Sequence, residues 1–234
     1  MPDFFDLARH LSSEELEIRD VVRKFVDARV LSSIGEHFER GTFPTELIAE
    51  MGTLGLLGGN LQGYGCAGLS EAGYGLVMQE LERGDSGIRS FASVQGALVM
   101  YPIRTFGSDA QKSSFLPRMA TGEIIGCFAL TEPDWGSNPV GMQTVATDDG
   151  DSYVLSGAKR WITNGNLAHV AVVWAKLGGP DGEVRGFLVP TDSKGFEARF
   201  IHKLWTKYMR IADRSVCGAL RIRQGEAGNV GSAE

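Results

Sequence analysis

The sequence predicts an α+β protein: an N-terminal all-helical domain followed by an antiparallel β-barrel or sandwich-like domain. Two observations carry this expectation. Up to about residue 122, apolar residues recur at helical spacing behind capping signals. From about residue 123 the chain changes to short runs rich in Val, Ile, Phe and Trp, separated by turn clusters. Helices first and strands second indicate segregated elements, not alternating βαβ units.

Each element has its own signal. Ser12 and Glu15 form a capping box ahead of a helix carrying Ile18, Val21, Val22, Phe25 and Val26. Pro44 opens a second helix with Leu47, Ile48, Met51 and Leu54 on its inner face. A glycine-rich connection over 58–68 leads to Ser70 and Glu71 and a third helix that buries Leu76, Val77 and Leu81. The stretch 87–101 is nearly all apolar or small, which predicts a helix buried on most sides. Ser108 and Gln111 make another capping box before a last helix ending near Gly122, which Pro117 should distort or shorten. Strands are expected at 124–130, 143–147, 152–156, 170–176, 185–189 and 196–200, with hairpin loops at 148–151 and 178–182. The domains expected are 1–122 and 123–203, followed by an atypical tail over 204–234.

Composition excludes several classes. A net charge of −6 argues against a nucleic-acid binder, which is usually basic. Cys66, Cys127 and Cys217 are too widely spaced for a disulfide framework or a zinc site, and suit a reducing compartment. His10, His37, His169 and His202 are equally scattered. No apolar run reaches the roughly 18 residues of a membrane span. The acidic start, Met-Pro-Asp-Phe-Phe-Asp, carries no signal- or transit-peptide character.

Four motifs bear on chemistry. Gly63-Tyr64-Gly65-Cys66-Ala67-Gly68 fits the dinucleotide pattern G-x-G-x-x-G. A helix lies upstream of it, not a strand, which favours an interhelical glycine loop. The run 124–130 ends at Thr131-Glu132-Pro133, where proline stops strand pairing, and a turn with Gly136 and Ser137 follows. Hydroxyls and backbone N–H groups at such a strand end can grip a flat polar cofactor; the plain alternative is a satisfied hairpin turn. About thirty residues on stands the block Lys159-Arg160-Trp161-Ile162-Thr163-Asn164-Gly165. A flavin needs donors along its polar edge and an apolar wall, which Thr131, Thr163 and Trp161 can supply. Arg89, finally, sits near the start of an otherwise apolar helix, four residues from Ser93 and on the same face. It either pairs internally with Glu82 or Asp85, snorkels to the surface, or binds an anionic ligand.

Together, Phe-Ala-Leu-Thr-Glu-Pro (128–133) and Trp-Ile-Thr (161–163) resemble the flavin signature of the acyl-CoA dehydrogenase family. The resemblance covers about residues 10–203. It is nearest to the glutaryl-CoA dehydrogenase branch, which has a similar Gly-Tyr-Gly-Cys-Ala-Gly in a helix connection and an Arg-Ser-x-x-Ser like residues 89–93. It implies that Phe128, Ala129, Leu130, Thr131, Ser137, Trp161, Ile162 and Thr163 contact FAD, and that Ser137 also touches the thioester ligand. It implies that Arg89, Ser90 and Ser93 face the acyl group, with Arg89 and Ser93 receiving a distal carboxylate. Asn138 departs from the pattern, which often has Asp there. The implied reaction is oxidation and decarboxylation of glutaryl-CoA to crotonyl-CoA, with electrons leaving through an electron-transfer flavoprotein and a homotetramer at full length. The family's general-base glutamate belongs to a C-terminal four-helix domain expected to lie beyond this chain, so no catalytic residue is assigned. The compartment implied is the cytoplasm of a bacterium or the mitochondrial matrix of a eukaryote. Two alternatives stand beside this reading: a monocarboxylic acyl-CoA dehydrogenase or oxidase in which Arg89 is structural, and a non-catalytic fragment.

Overall fold

The computed structural model describes residues 6–201, 211–213, 220–223 and 229–232. Helix α1 (Ser13–Phe25) opens with the expected capping box: Glu15 N–H donates to Ser12 Oγ at 3.2 Å, and Ser12 N–H donates to the Glu15 carboxylate at 2.9 Å. A π-helical turn, Val26–Val30, continues it and keeps Val26 and Val30 in the core. After α2 (Ile34–Arg40), Pro44 leads into a 3₁₀ turn and then α3 (Ile48–Thr53). Leu47 and Met51 are buried as expected, but Leu54 falls just past the helix end and is exposed. The glycine motif connects α3 to α4 (Glu71–Gly84). Gly63, Gly65 and Gly68 all have φ between +67° and +83°, which only glycine adopts freely. It is an interhelical loop with no strand ahead of it. In α4, Val77 and Leu81 are buried and Leu76 only partly so.

Helix α5 (Ser86–Ser93), a π-helical stretch (Val94–Met100) and α6 (Tyr101–Phe106) follow without a break. The expected burial holds on the inner face, while Leu98 and Tyr101 stay exposed. Helix α7 (Asp109–Ala120) has the expected capping box at Ser108 and Gln111 and runs through Pro117 before ending. Proline removes one N–H bond there, but the buried Leu116 and Met119 beside it hold the turn against the core.

Among the described residues, ten strands follow: β1 (Gly126–Ala129), β2 (Val145–Asp148), β3 (Ser152–Ser156), β4 (Ile162–Thr163), β5 (Val170–Leu177), β6 (Val184–Pro190), β7 (Arg199–Phe200), β8 (Ile211–Asp213), β9 (Leu220–Arg223) and β10 (Asn229–Ser232). The last three lie within 204–234, the stretch expected to be an atypical tail; the remainder of that stretch is outside the described residues. One sheet runs β10-β6-β5-β2-β3-β9, with β1 also on β5; a smaller one runs β4-β8-β7. Antiparallel pairing holds for β5–β6, β2–β3, β3–β9 and β6–β10. The large sheet is nevertheless mixed and open, because β1 and β2 both run parallel to β5. Strand β5 is buried along Val170–Val173, so it reads as a continuous apolar run instead of an alternating one.

The edge of β5 is shared, and this positions everything that follows. β1 pairs with its first half (Gly126↔Val170 to Ala129↔Val173), and β2 with its last residues (Val145↔Lys176, Ala146↔Leu177). The chain leaves the sheet after Ala129 and rejoins it at Val145. Residues 130–144 form an excursion over this gap. Gln95, fully buried, ties the long helix to β1: it donates to Met119 O (3.1 Å) and Ile124 O (2.8 Å) and accepts from Gly126 N–H (2.8 Å).

Candidate functional site

Alternation along β1 divides its side chains. Cys127 and Ala129 point into the core, while Phe128 and Leu130 face the excursion. Under the excursion lies a cavity of about 450 Å³, walled by Phe128, Leu130, Pro139, Val140, Met142 and Trp174. The Phe128 and Trp174 rings meet edge to face at 5.8 Å. The buried indole N–H of Trp174 has no partner among the described residues.

The two motif blocks come together at the end of β1. Arg160 N–H donates to Thr131 O at 2.8 Å, so the segment before Trp161 runs directly against the strand end. Trp161 has φ +62°, a left-handed backbone that costs a bulky residue on the order of 1–3 kcal/mol. That turn throws the indole outward, 51% exposed, with the Arg160 guanidinium over it at 5.0 Å from the ring centre. Ile162 turns back into the core and Thr163 follows at its edge. Asn164, also left-handed but buried, donates to Gly126 O at 3.4 Å and returns the chain beside β1.

Among the described residues, the hydroxyls of Thr131, Ser137 and Thr163 and the N–H of Thr131 make no hydrogen bond. Thr131 and Thr163 are half-exposed and Ser137 is exposed, so these groups are open to solvent or to a ligand. The Thr131 hydroxyl and N–H at the strand end and the Thr163 hydroxyl two residues past the exposed Trp161 fit a flat heteroaromatic ring with several acceptors along one edge, with Ser137 exposed on the excursion as a further donor. The donor chemistry therefore suits a flavin.

A buried ion pair underlies the site, and sequence reading passed over it. Lys159, fully buried, donates to Glu132 (2.8 Å) and to Leu130 O (3.1 Å). Glu132, 4% exposed, also accepts from Gln143 N–H (2.6 Å), Thr144 N–H (2.9 Å) and the Thr144 hydroxyl. Burial pushes the Glu132 carboxyl up, but the Gln143 N–H, Lys159 and Thr144 outweigh it and hold the group below the usual carboxylate range. Burial lowers Lys159, and Glu132 partly restores it. The available signal was one Glu and one Lys of opposite charge, one in each of the two motifs.

Arg89 lies elsewhere, on α5. Its Nε donates to Glu82 at 2.6 Å, and Nη1 reaches Ser93 Oγ at 3.5 Å. Asp85 caps the helix by accepting from Gly87 and Ile88 N–H. Internal pairing with Glu82 is thus present, and Arg89 and Ser93 share a face as the spacing predicts. Ser90 is half-buried on the same helix, and its carbonyl accepts from the Ser93 hydroxyl. Gln95, beyond the end of α5, links this helical run to the first residue of β1, the strand that leads to Thr131.

A helical domain followed by an open mixed sheet, with a polar strand-end site between two motif blocks, defines a class that family comparison makes specific. The family model for the acyl-CoA dehydrogenase N-terminal domain matches residues 12–123, and that for the middle domain matches 127–212. The chain belongs to the acyl-CoA dehydrogenase family, a family of oxidoreductases. In structure it is similar to a glutaryl-CoA dehydrogenase from Mycobacterium smegmatis solved with FADH2: 50% identity, TM-score 0.93, covering 99% of this chain and 59% of that one. A butyryl-CoA dehydrogenase from Megasphaera elsdenii is similar at 27% identity and TM-score 0.86, covering 95% of this chain and 60% of that one. The human mitochondrial short-chain specific acyl-CoA dehydrogenase is 36% identical over 176 residues, 74% of this chain and 43% of the relative. The chain spans about half the length of the curated relatives it matches. Among the described residues, no helix is long and apolar enough to cross a membrane.

Proposed function

We propose that this chain forms the cofactor-facing and acyl-facing part of an FAD-dependent acyl-CoA dehydrogenase of the glutaryl-CoA type. The observation that supports it best is the junction of the Thr131 strand end with the Trp161–Thr163 turn, where the hydroxyls and a backbone N–H stand unpaired beside an exposed indole. FAD, when bound, supplies the hydride acceptor for α,β-dehydrogenation. Thr131, Ser137 and Thr163 orient the ring by hydrogen bonds. Phe128, Leu130 and Trp161 furnish its apolar surroundings, while Ala129 and Ile162, whose side chains are buried in the core, can meet it only through their backbone. Glu132 is committed to four donors and does not serve as a base. No residue of this chain is assigned proton abstraction, so the isolated 234 residues should turn over little or no acyl-CoA.

Arg89 with Ser93 supports a dicarboxylic acyl group: a guanidinium binds a carboxylate in two-pronged fashion. The likeness to a glutaryl-CoA dehydrogenase at 50% identity adds to this. Electron delivery to an electron-transfer flavoprotein and tetramer assembly belong to the same proposal for the whole protein. A second reading, a monocarboxylic acyl-CoA dehydrogenase, draws on the ion pair Arg89 already makes with Glu82. The first test is the visible spectrum of the purified chain after incubation with FAD: a bound flavin band supports the site, and a colourless protein overturns it. Binding of glutaryl-CoA against butyryl-CoA to wild type and Arg89→Ala separates the substrates. A loss confined to glutaryl-CoA supports the anchor; equal losses support the second reading.

A further inference from the structure

Glu132 joins three separate pieces of chain: 130–132, 143–144 and 159–160. Residues 130, 131 and 132 are each held by residue 159 or 160, through Lys159 Nζ to Leu130 O, Arg160 N–H to Thr131 O, and Lys159 Nζ to Glu132. On the other side Glu132 takes both N–H groups of Gln143 and Thr144, closing the excursion at its base. Stability alone does not account for this arrangement. Burying two charges costs several kcal/mol per ion, on the order of what their attraction returns, and an apolar pair of similar size is often as stable. What an apolar pair cannot do is fix the register of three polar backbone segments or place charge beside them.

We propose that the Glu132–Lys159 pair is a positioning element of the flavin site, locking the Thr131 strand end to the Trp161 turn and biasing the ring electrostatically through its two charges. This rests on the flavin reading above. The lock follows from the bonds just given. The bias follows from Lys159 donating to the carbonyl of the Leu130–Thr131 peptide. An ammonium at that oxygen polarises the peptide unit and strengthens the donor at its other end, the unpaired Thr131 N–H. Reduction adds negative charge to a flavin, so a nearby buried cation favours the reduced form and a nearby buried anion disfavours it. The two residues therefore act in opposite senses on the same ring.

The test compares wild type, Lys159→Met, Glu132→Gln and the double variant, each as the full 234-residue chain. In the FAD-loaded protein the midpoint potential should fall in Lys159→Met, rise in Glu132→Gln, and lie between in the double variant. Shifts of one sign for both single variants would overturn the electrostatic part, since general loosening has no such sign. In the FAD-free protein, exchange of the Arg160 amide should quicken at least tenfold in each single variant, while Val172 in the centre of β5 stays protected. Unchanged Arg160 exchange would overturn the lock. If a single variant does not fold, the double variant decides: FAD binding at least tenfold weaker with Val172 protection intact supports the proposal, and wild-type affinity sinks it. A wild-type chain that takes up no FAD refutes the flavin reading, and Arg160 exchange then judges the lock by itself.

Discussion

Gln95→Met is the most informative single substitution, because it cuts the tie between the helix carrying Arg89 and the strand leading to Thr131 while keeping side-chain length. Gln95 is completely buried and makes three hydrogen bonds. Met119 O retains a second donor, Gly122 N–H at 3.1 Å, so its loss is small. Ile124 O and Gly126 N–H lose their bond to Gln95 in a buried setting. Leaving a buried polar group unpaired costs about 1–3 kcal/mol, so the two together cost about 2–6 kcal/mol. The thioether recovers on the order of 1 kcal/mol through added apolar burial. A net loss of about 1–5 kcal/mol is expected, a large part of the roughly 5–15 kcal/mol that holds a domain together. Urea unfolding followed by circular dichroism measures it, with the midpoint lowered and the denaturant slope unchanged. A loss below about 0.5 kcal/mol would show that the tie is dispensable and that the helix sits on β1 by apolar packing alone.

Three further outcomes are expected. Gly126→Ala should destabilise by about 1–3 kcal/mol, since a Cβ there would run into Val99 and Met119; equilibrium unfolding with no change would contradict that close approach. Cys127, buried and with its thiol pushed up to about 12, should resist a thiol reagent at pH 8 in the native protein and react only on unfolding; mass mapping of the labelled peptide checks this, and rapid native labelling would be incompatible with the packing. For Glu80, burial pushes the carboxyl up, but hydrogen bonds from Arg23 and Arg83 outweigh it and hold it below its usual range. A depressed folded value contributes stability above the unfolded pKa of about 4.3 and loses it as pH falls through the folded value. Glu80→Gln should therefore be less stable than wild type at pH 7 and show a shallower loss of melting temperature on acidification below about pH 4; parallel curves for the two proteins would count against the ion pair.

Local signals carried much of the fold. Both capping boxes, at Ser12 with Glu15 and at Ser108 with Gln111, formed as their spacing predicts, because such bonds lie within one helical turn. The strand at 152–156 and the hairpins at 148–151 and 178–182 were equally legible, since turn chemistry and alternation act over a few residues. The glycine motif resolved correctly once its missing upstream strand was weighed. Two short blocks also marked the proposed flavin site, because Thr131, Trp161 and Thr163 stand next to breaks in regular structure that sequence displays.

Tertiary structure alone decided how those blocks meet. The parallel placement of β1 and β2 on a shared β5 depends on pairing across 44 residues for β1 (Gly126↔Val170) and 31 for β2 (Val145↔Lys176), which no local pattern encodes. That sharing opens the gap the 130–144 excursion crosses. Glu132 and Lys159 looked like ordinary charged residues, and only burial turned them into a node that holds three segments. Gln95 gave no signal either, because its three partners come from the end of one helix and the start of a strand. Sequence sets which groups can bond within a turn; which buried polar groups find one another across the chain is settled only when the apolar faces pack and exclude the water that would otherwise satisfy them.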